Sequence, residues 1–209
     1  MAKLLENGVP IGNWYDKYNT QNPVARYLVR NFLRTIKELL DPIKNDITSI
    51  TDVGCGEGYL TNHIHTLNIA EKIKACDFSS QVIDIARKNT SSLKIQFYTK
   101  DIYEIGEQEQ ADLIVCCEVL EHLKYPEEAL NKIRQVTNKY CLLSVPCEPV
   151  WRIINLCRGK YIKNYGNTPG HINHWSSGAF ANLVCIYFDI MTIRKALPWT
   201  IVFCKKKTI

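Results

Sequence analysis

Ile50-Thr51-Asp52-Val53-Gly54-Cys55-Gly56-Glu57-Gly58 is the stretch that decides the fold. A short apolar strand, Ile47 to Val53, runs into glycines at alternate positions, and a helical pattern starts at Tyr59. Glycine lacks a Cβ, so a turn built this way lets backbone approach a ligand closely and accepts positive φ. Strand, glycine turn and helix, in that order, put a nucleotide-sized ligand at the carboxyl end of the strand. The spacing is G-x-G-x-G. The G-x-G-x-x-G of dinucleotide folds instead brings a helix N-terminus against a pyrophosphate.

On the N-terminal side, Asn22-Pro23 is a helix start, with Asn as N-cap and Pro at the first helical position. That helix runs to Leu40 and stops at Asp41-Pro42. On the C-terminal side, strand-like and helix-like segments alternate. Strands are predicted at 47–53, 72–77, 94–99, 111–117, 139–145, 187–195 and 199–204. Helices are predicted at 58–68, 79–89, 126–137, 149–157 and 176–186. This rhythm argues α/β architecture: a doubly wound, mostly parallel sheet with helices on both faces. Only Leu197-Pro198 separates the last two strands, so they form an antiparallel hairpin. We expect one domain over 1–209, with an N-terminal helical cap (1–46), a cofactor half (47–145), a substrate-side insert (146–175) and a C-terminal helix with its hairpin (176–209).

The insert breaks the rhythm. It gathers Trp151, Arg152, Arg158, Lys160, Tyr161, Tyr165, His171, His174 and Trp175, with Gly159, Gly166, Pro169 and Gly170 as punctuation. A long aromatic and basic segment at the mouth of a sheet is more often functional than a spacer. A packed surface Ω-loop is the plainer alternative.

Composition bounds these readings. The 209 residues are 46% hydrophobic and 22% charged, enough for one α/β domain with a full core. Apolar runs such as Leu113–Cys117 are too short to span a bilayer, and Met1–Glu6 shows no secretory apolar region, which points to the cytoplasm. Nine cysteines without a C-x-x-C pair fit reduced, mainly buried thiols. A thiol-based site centred on Cys147 is the lesser reading. A net charge of +5 permits an anionic partner without requiring one.

Downstream of the glycine turn, acids recur at strand ends. Asp77 closes the second strand, where a carboxylate can accept both ribose hydroxyls of an adenosine. The third strand ends at Asp101-Ile102 and the fourth at Glu118-Val-Leu-Glu121-His122-Leu. This ordered set, with Asp52 just before the glycines, resembles class I S-adenosylmethionine-dependent methyltransferases over residues 22–205. The resemblance implies strand order 3-2-1-4-5-7-6 with strand 7 antiparallel, and S-adenosyl-L-methionine as cofactor. By that match Asp52 is the motif's acid, Gly54, Gly56 and Gly58 cradle the methionine part, Asp77 holds the ribose, and Asp101 and Ile102 flank the adenine. Glu118 begins the active-site rim; from position in the chain alone, Tyr15 or Tyr18 is expected to cover the cofactor.

Methyl transfer displaces a sulfonium leaving group, so the protein mainly aligns the acceptor and removes its proton. Glu118, Glu121 and His122 stand at i, i+3 and i+4, which a helix would place on one face. Two carboxylates and an imidazole suit Mg²⁺, Mn²⁺, Fe²⁺ or Zn²⁺. A narrower resemblance points the same way. Small-RNA 3′-terminal 2′-O-methyltransferases use Glu-x-x-Glu-His plus a later His four residues before a Trp, and His171-Ile-Asn-His-Trp175 has that spacing. Glu118, Glu121, His122 and His171 match that metal set. Ubiquinone-pathway O-methyltransferases share the Glu-x-x-Glu-His part. The same E-V-L-E-H-L pattern also occurs in metal-free enzymes, in which His122, His171 or His174 would serve as base, or desolvation and alignment alone would suffice. His63 and His65 are read as structural.

Arg26, Arg30 and Arg34 make a basic stripe on the first helix, read as a solvated face, and Lys205–Lys207 as a frayed terminus. The leading expectation is O-methylation of a small-molecule acceptor. The alternatives are a metal-dependent RNA 3′-terminal 2′-O-methyltransferase and a non-catalytic binding subunit of the same fold.

Overall fold

A computed structural model describes residues 5–6, 9–10 and 20–207. Tyr15 and Tyr18 lie outside the described residues. Helix α1 spans Pro23–Leu40, and the Asn22 side chain accepts from the Val24 and Ala25 amides at 2.9 and 3.1 Å, as an N-cap should. Its buried residues, including Phe32, Ile36 and Leu40, pack on the sheet, while Arg26, Arg30 and Arg34 are exposed and Arg34 meets Glu38 at 3.6 Å.

The main sheet has seven strands: β1 (Ser49–Val53), β2 (Lys72–Asp77), β3 (Ile95–Thr99), β4 (Ala111–Cys117), β5 (Thr137–Pro146), β6 (Phe188–Ala196) and β7 (Trp199–Lys206). Their order is 3-2-1-4-5-7-6, with β7 antiparallel to both its neighbours. Helices α2 (Tyr59–Thr66), α3 (Ser80–Lys88), α4 (Pro126–Val136), α5 (Val150–Cys157) and α6 (Ser177–Val184) complete the fold. Leu5–Glu6 and Val9–Pro10 form a separate two-stranded antiparallel ladder. Lys205 and Lys206 pair with Tyr140 and Phe188. The expected frayed terminus is therefore wrong for these two lysines: the hairpin ladder uses their backbone groups.

Side-chain alternation divides the core between the two faces of the sheet. Leu113, Val115, Leu142 and Ile201 pack toward α1, α2 and α3, whereas Ile114, Cys116, Leu143 and Val202 pack toward α4 and α6. Central strands covered on both faces read as near-continuous apolar runs, as β4 does from Leu113 to Cys117. Seven of the nine cysteines are buried in this core or at its edge. Among the described residues no helix is long and apolar enough to cross a membrane.

Strand β1 lies between β2 and β4, and the chain leaves it toward both sides of the sheet. The carboxyl ends of β1, β2, β4 and β5 thus meet at the topological switch point, where ligands of doubly wound sheets bind.

Candidate active site

The glycine turn is fixed to β2. The Gly54 and Cys55 amides both donate to the Cys76 carbonyl, at 2.8 and 2.9 Å. Gly54, Gly56 and Gly58 all have positive φ, at 76°, 54° and 79°. They serve different ends. A Cβ on Gly54 would stand 2.3 Å from Val119 Cγ2, and one on Gly58 would press on Ala86 and Phe97 at 3.1 and 3.2 Å. At Gly56 a Cβ would meet nothing within 4 Å, so this residue faces open cavity. Gly58 stands behind the cavity wall as the N-cap of α2.

Asp77 orders the turn. One of its carboxylate oxygens accepts from the Gly56 amide and the other from the Ser79 amide, each at 3.1 Å. Asp101 accepts from the Tyr103 amide at 2.9 Å, and Ile102 is buried beside it. Asp52 is 2% exposed and accepts from the Thr61 hydroxyl at 2.6 Å. Burial raises its carboxyl to about 7, despite the opposing Thr61 hydrogen bond.

After β4 the chain is not an extended helical face. Glu118 sits at φ 60°, and only Leu120–His122 form a 3₁₀ turn. Glu118 and Glu121 therefore do not share a helix face. The Glu118 carboxylate accepts from Ser144 Oγ at 3.3 Å and from Trp199 Nε1 at 2.5 Å, which ties the rim to β5 and β7. A left-handed glutamate is backbone strain placed at the cavity rim.

Glu121, His122 and His171 do converge, each offering a ligand atom within 4.8 Å of the others. Glu121 is 1% exposed, and its Oε1 lies 4.0 Å from His122 Nε2. The His122 Nδ1 bonds the Gly170 carbonyl at 2.9 Å, and because a carbonyl only accepts, Nδ1 carries a proton. His171 packs edge to face on His122 and stacks on Trp151, whose indole N–H donates to Thr168 Oγ1 at 2.8 Å. The insert is docked from both sides: the Ile172 and Asn173 amides donate to the Glu121 carbonyl, and Asn173 Nδ2 donates to the Leu120 and Leu123 carbonyls. Asn173, Thr168 and Trp199 were not expected to matter, since a side-chain amide, a hydroxyl and an indole give no spacing signal.

Other sequence candidates lie apart. His174 faces Glu148 at 3.7 Å, with its pKa lowered by burial and then by Arg152. His63 contacts the Leu33 carbonyl of α1 at 3.3 Å. Cys147 packs its thiol on Ser177 Oγ at 3.3 Å, where the bridge between Cys147 and Trp175 closes the base of the insert.

One cavity of about 540 Å³ joins the two halves. Gly54, Asp77 and Asp101 line one end and Glu121, His122 and His171 the other. The sheet order, the glycine turn and the acids at the strand ends together define the class I methyltransferase fold. Residues 51–143 match the methyltransferase domain family.

Curated relatives agree. The chain is 30% identical over 122 residues to the malonyl-[acyl-carrier protein] O-methyltransferase of Halalkalibacterium halodurans, covering 56% of this chain and 45% of that protein. It is 33% identical over 96 residues to the mitochondrial ubiquinone biosynthesis O-methyltransferase of Candida albicans, covering 43% of this chain and 29% of that one. The chain thus spans less than half the length of these relatives. Among solved structures, the magnesium protoporphyrin IX methyltransferase of Synechocystis superposes with a TM-score of 0.66 at 15% identity, over 90% of this chain and 89% of that one. The N-methyltransferase NodS of Bradyrhizobium japonicum gives 0.62 at 14% identity, over 85% and 97%. These two likenesses establish the shared fold.

Proposed function

We propose that the protein is an S-adenosylmethionine-dependent methyltransferase acting on an oxygen of a small-molecule acceptor. The observation that carries this reading is the single cavity that joins the glycine turn and Asp77 to the Glu121, His122 and His171 cluster. Its volume lies in the range of small-ligand sites. The cradle fits the cofactor: Gly56 opens onto the cavity, and Asp77 stands where it can receive ribose hydroxyls. Gly54 and Gly56 then frame the methionine part with Gly58 capping α2 behind them, Asp77 holds the ribose, Asp101 and Ile102 flank the adenine, and Glu118 sets the rim. S-adenosylmethionine supplies both the methyl group and its leaving thioether.

The chain's own task is to orient the acceptor hydroxyl and take its proton. In its neutral form His122 would offer Nε2 for this, since the hydrogen bond to the Gly170 carbonyl keeps the Nδ1 proton in place. His171 and Glu121 fix the imidazole in place. That both curated relatives are named O-methyltransferases supports oxygen as the acceptor atom. Glu121, His122 and His171 also have the donor types for a divalent cation (Mg, Mn, Fe or Zn), which would lower the pKa of a bound hydroxyl. Glu118, tied to Ser144 and Trp199, would hold the rim beside it.

Convergence of Glu121, His122 and His171 favours one second reading, a metal-dependent RNA 3′-terminal 2′-O-methyltransferase. The buried thiols suit a reducing compartment and support a cytoplasmic setting. Transfer of labelled methyl to catechols, carboxylates, amines, thiols and RNA ends, with and without chelator, separates these readings. Transfer to catechols or carboxylates supports the small-molecule reading, and salt-sensitive transfer to RNA ends supports the other. S-adenosylhomocysteine binding with no turnover on any acceptor would point instead to a binding subunit.

A further inference from the structure

His122 sits on a very short element. Leu120–His122 form one 3₁₀ turn, entered through Glu118 at φ 60° and Val119 at φ −123° and left through an extended Leu123. A single turn of this kind has little stability of its own, and the carbonyls at its end need partners from elsewhere. The direction of the His122 ring therefore depends on what lies against the turn.

A strip of the insert, Gly170 to Asn173, lies there. The Gly170 carbonyl accepts from His122 Nδ1 at 2.9 Å, and the His171 ring packs on the His122 ring. The Ile172 and Asn173 amides both donate to the Glu121 carbonyl, at 2.9 and 3.0 Å. The Asn173 side chain completes the set. Its Nδ2 donates to the Leu120 carbonyl at 3.2 Å and to the Leu123 carbonyl at 2.6 Å. One acceptor precedes Glu121 and the other follows His122, so this amide spans the turn. The strip is itself tied back, because Asn167 Nδ2 donates to the His171 carbonyl at 3.3 Å. Asn173 lies outside the cavity wall, which Glu121, His122 and His171 all line.

We propose that Asn173 is a positioning residue: it clamps the insert to the turn and so fixes the His122 ring at the acceptor end of the cavity. It acts through His122 and does not touch the substrates. The position needs a side-chain donor of this length. A carboxylate of the same shape would set acceptor against acceptor at both carbonyls, and alanine would leave them without this donor. Misplacing a reacting group by about 1 Å can cost about 100-fold in rate. The effect on rate rests on the methyl-transfer reading, whereas the clamp does not.

Nitrogen-15 spectra of the histidine rings in the intact chain test the clamp directly. The chain has five histidines, and H122Q identifies the His122 signals. The neutral His122 ring should carry its proton on Nδ1. His63 turns Nε2 to the Leu33 carbonyl, so it should show the opposite tautomer and serve as the internal control. N173D and N173A should melt cooperatively and bind S-adenosylhomocysteine within about twofold of wild type, because the cradle lies at the other end of the cavity. In both variants His122 should lose its single Nδ1–H form while His63 keeps its own. In both, kcat should fall by about 10- to 100-fold, further in N173D, with the cofactor KM little changed. An unchanged His122 tautomer, or a kcat equal to wild type in both variants, overturns the proposal. Loss of cooperative melting or of S-adenosylhomocysteine binding in both variants also overturns it, since Asn173 would then support the whole domain. If the wild type transfers no methyl group to any acceptor while the His122 tautomer still responds to Asn173, the methyl-transfer reading fails and the clamp stands.

Discussion

His122 and His171 meet edge to face, with ring centroids 4.8 Å apart and planes at 80°. One comes from the 3₁₀ turn after β4 and the other from the insert after β5, so the pair exists only once the insert has folded back. The hydrogen bond from His122 to the Gly170 carbonyl and the stack of Trp151 on His171 hold both rings from behind.

If this pair handles the acceptor's proton, H122A and H171A should each lower kcat by about 100-fold or more, in the range of general acid–base catalysis. S-adenosylhomocysteine affinity, measured by calorimetry, should change by less than about twofold, because the cofactor cradle lies at the other end of the cavity. A chelator distinguishes the two forms of the mechanism. Activity lost to chelator and restored by one divalent cation assigns metal ligation to Glu121, His122 and His171. Indifference to chelator assigns His122 the part of an unaided base.

Asp77 should govern cofactor affinity. D77A removes a charged acceptor from the Gly56 and Ser79 amides, and from the ribose if the proposed cofactor placement holds. A lost hydrogen bond to a charged group is worth about 1.5–3 kcal/mol, so affinity for S-adenosylhomocysteine should fall by about 10- to 100-fold. D77N keeps one acceptor oxygen and should lie between. An unchanged calorimetric affinity in D77A would remove Asp77 from the cofactor site.

The sheet was legible because its signals are local. Asn22-Pro23 starts α1, the glycine turn ends β1, and Leu197-Pro198 closes the β6–β7 hairpin, each within a few residues. The placing of Asp77 and Asp101 at the cavity was legible for the same reason, since strand ends are placed by topology alone. The acceptor end was less so. The i, i+3, i+4 spacing of Glu118, Glu121 and His122 suggested one helical face, but a left-handed Glu118 and a single 3₁₀ turn aim Glu118 at Trp199 instead. The supports supplied by Asn173, Thr168 and Trp151 are long-range contacts, and no periodicity encodes them.

The three glycines should respond differently to alanine. G54A brings both positive-φ strain, about 1–2 kcal/mol, and a clash with Val119 worth about 1–3 kcal/mol. Urea denaturation should therefore show G54A as clearly less stable than G56A, which incurs only the backbone term. Adding V119A to G54A should recover the clash part and leave the φ part. G56A should instead weaken cofactor binding, since its new methyl group enters the open cradle. Equal stabilities of G54A and G56A would refute this division of labour.

Asp52 should make stability depend on pH in an unusual direction. Its carboxyl is raised to about 7, by burial first, so the folded state holds a proton that the unfolded chain releases near the ordinary aspartate value of about 3.9. Between those values the native state binds more protons, and stability must fall as pH rises. The contribution is complete below about pH 4 and gone above about pH 7, with a size of up to about 4 kcal/mol for a three-unit shift. D52N stays uncharged and can still accept from Thr61, so its stability should lack this slope. Urea denaturation of both proteins from pH 4 to pH 8 supplies the comparison: the wild type should lose stability relative to D52N across the window. Parallel curves would show that Asp52 is ionised in the folded protein and that its carboxylate is compensated from within the cavity.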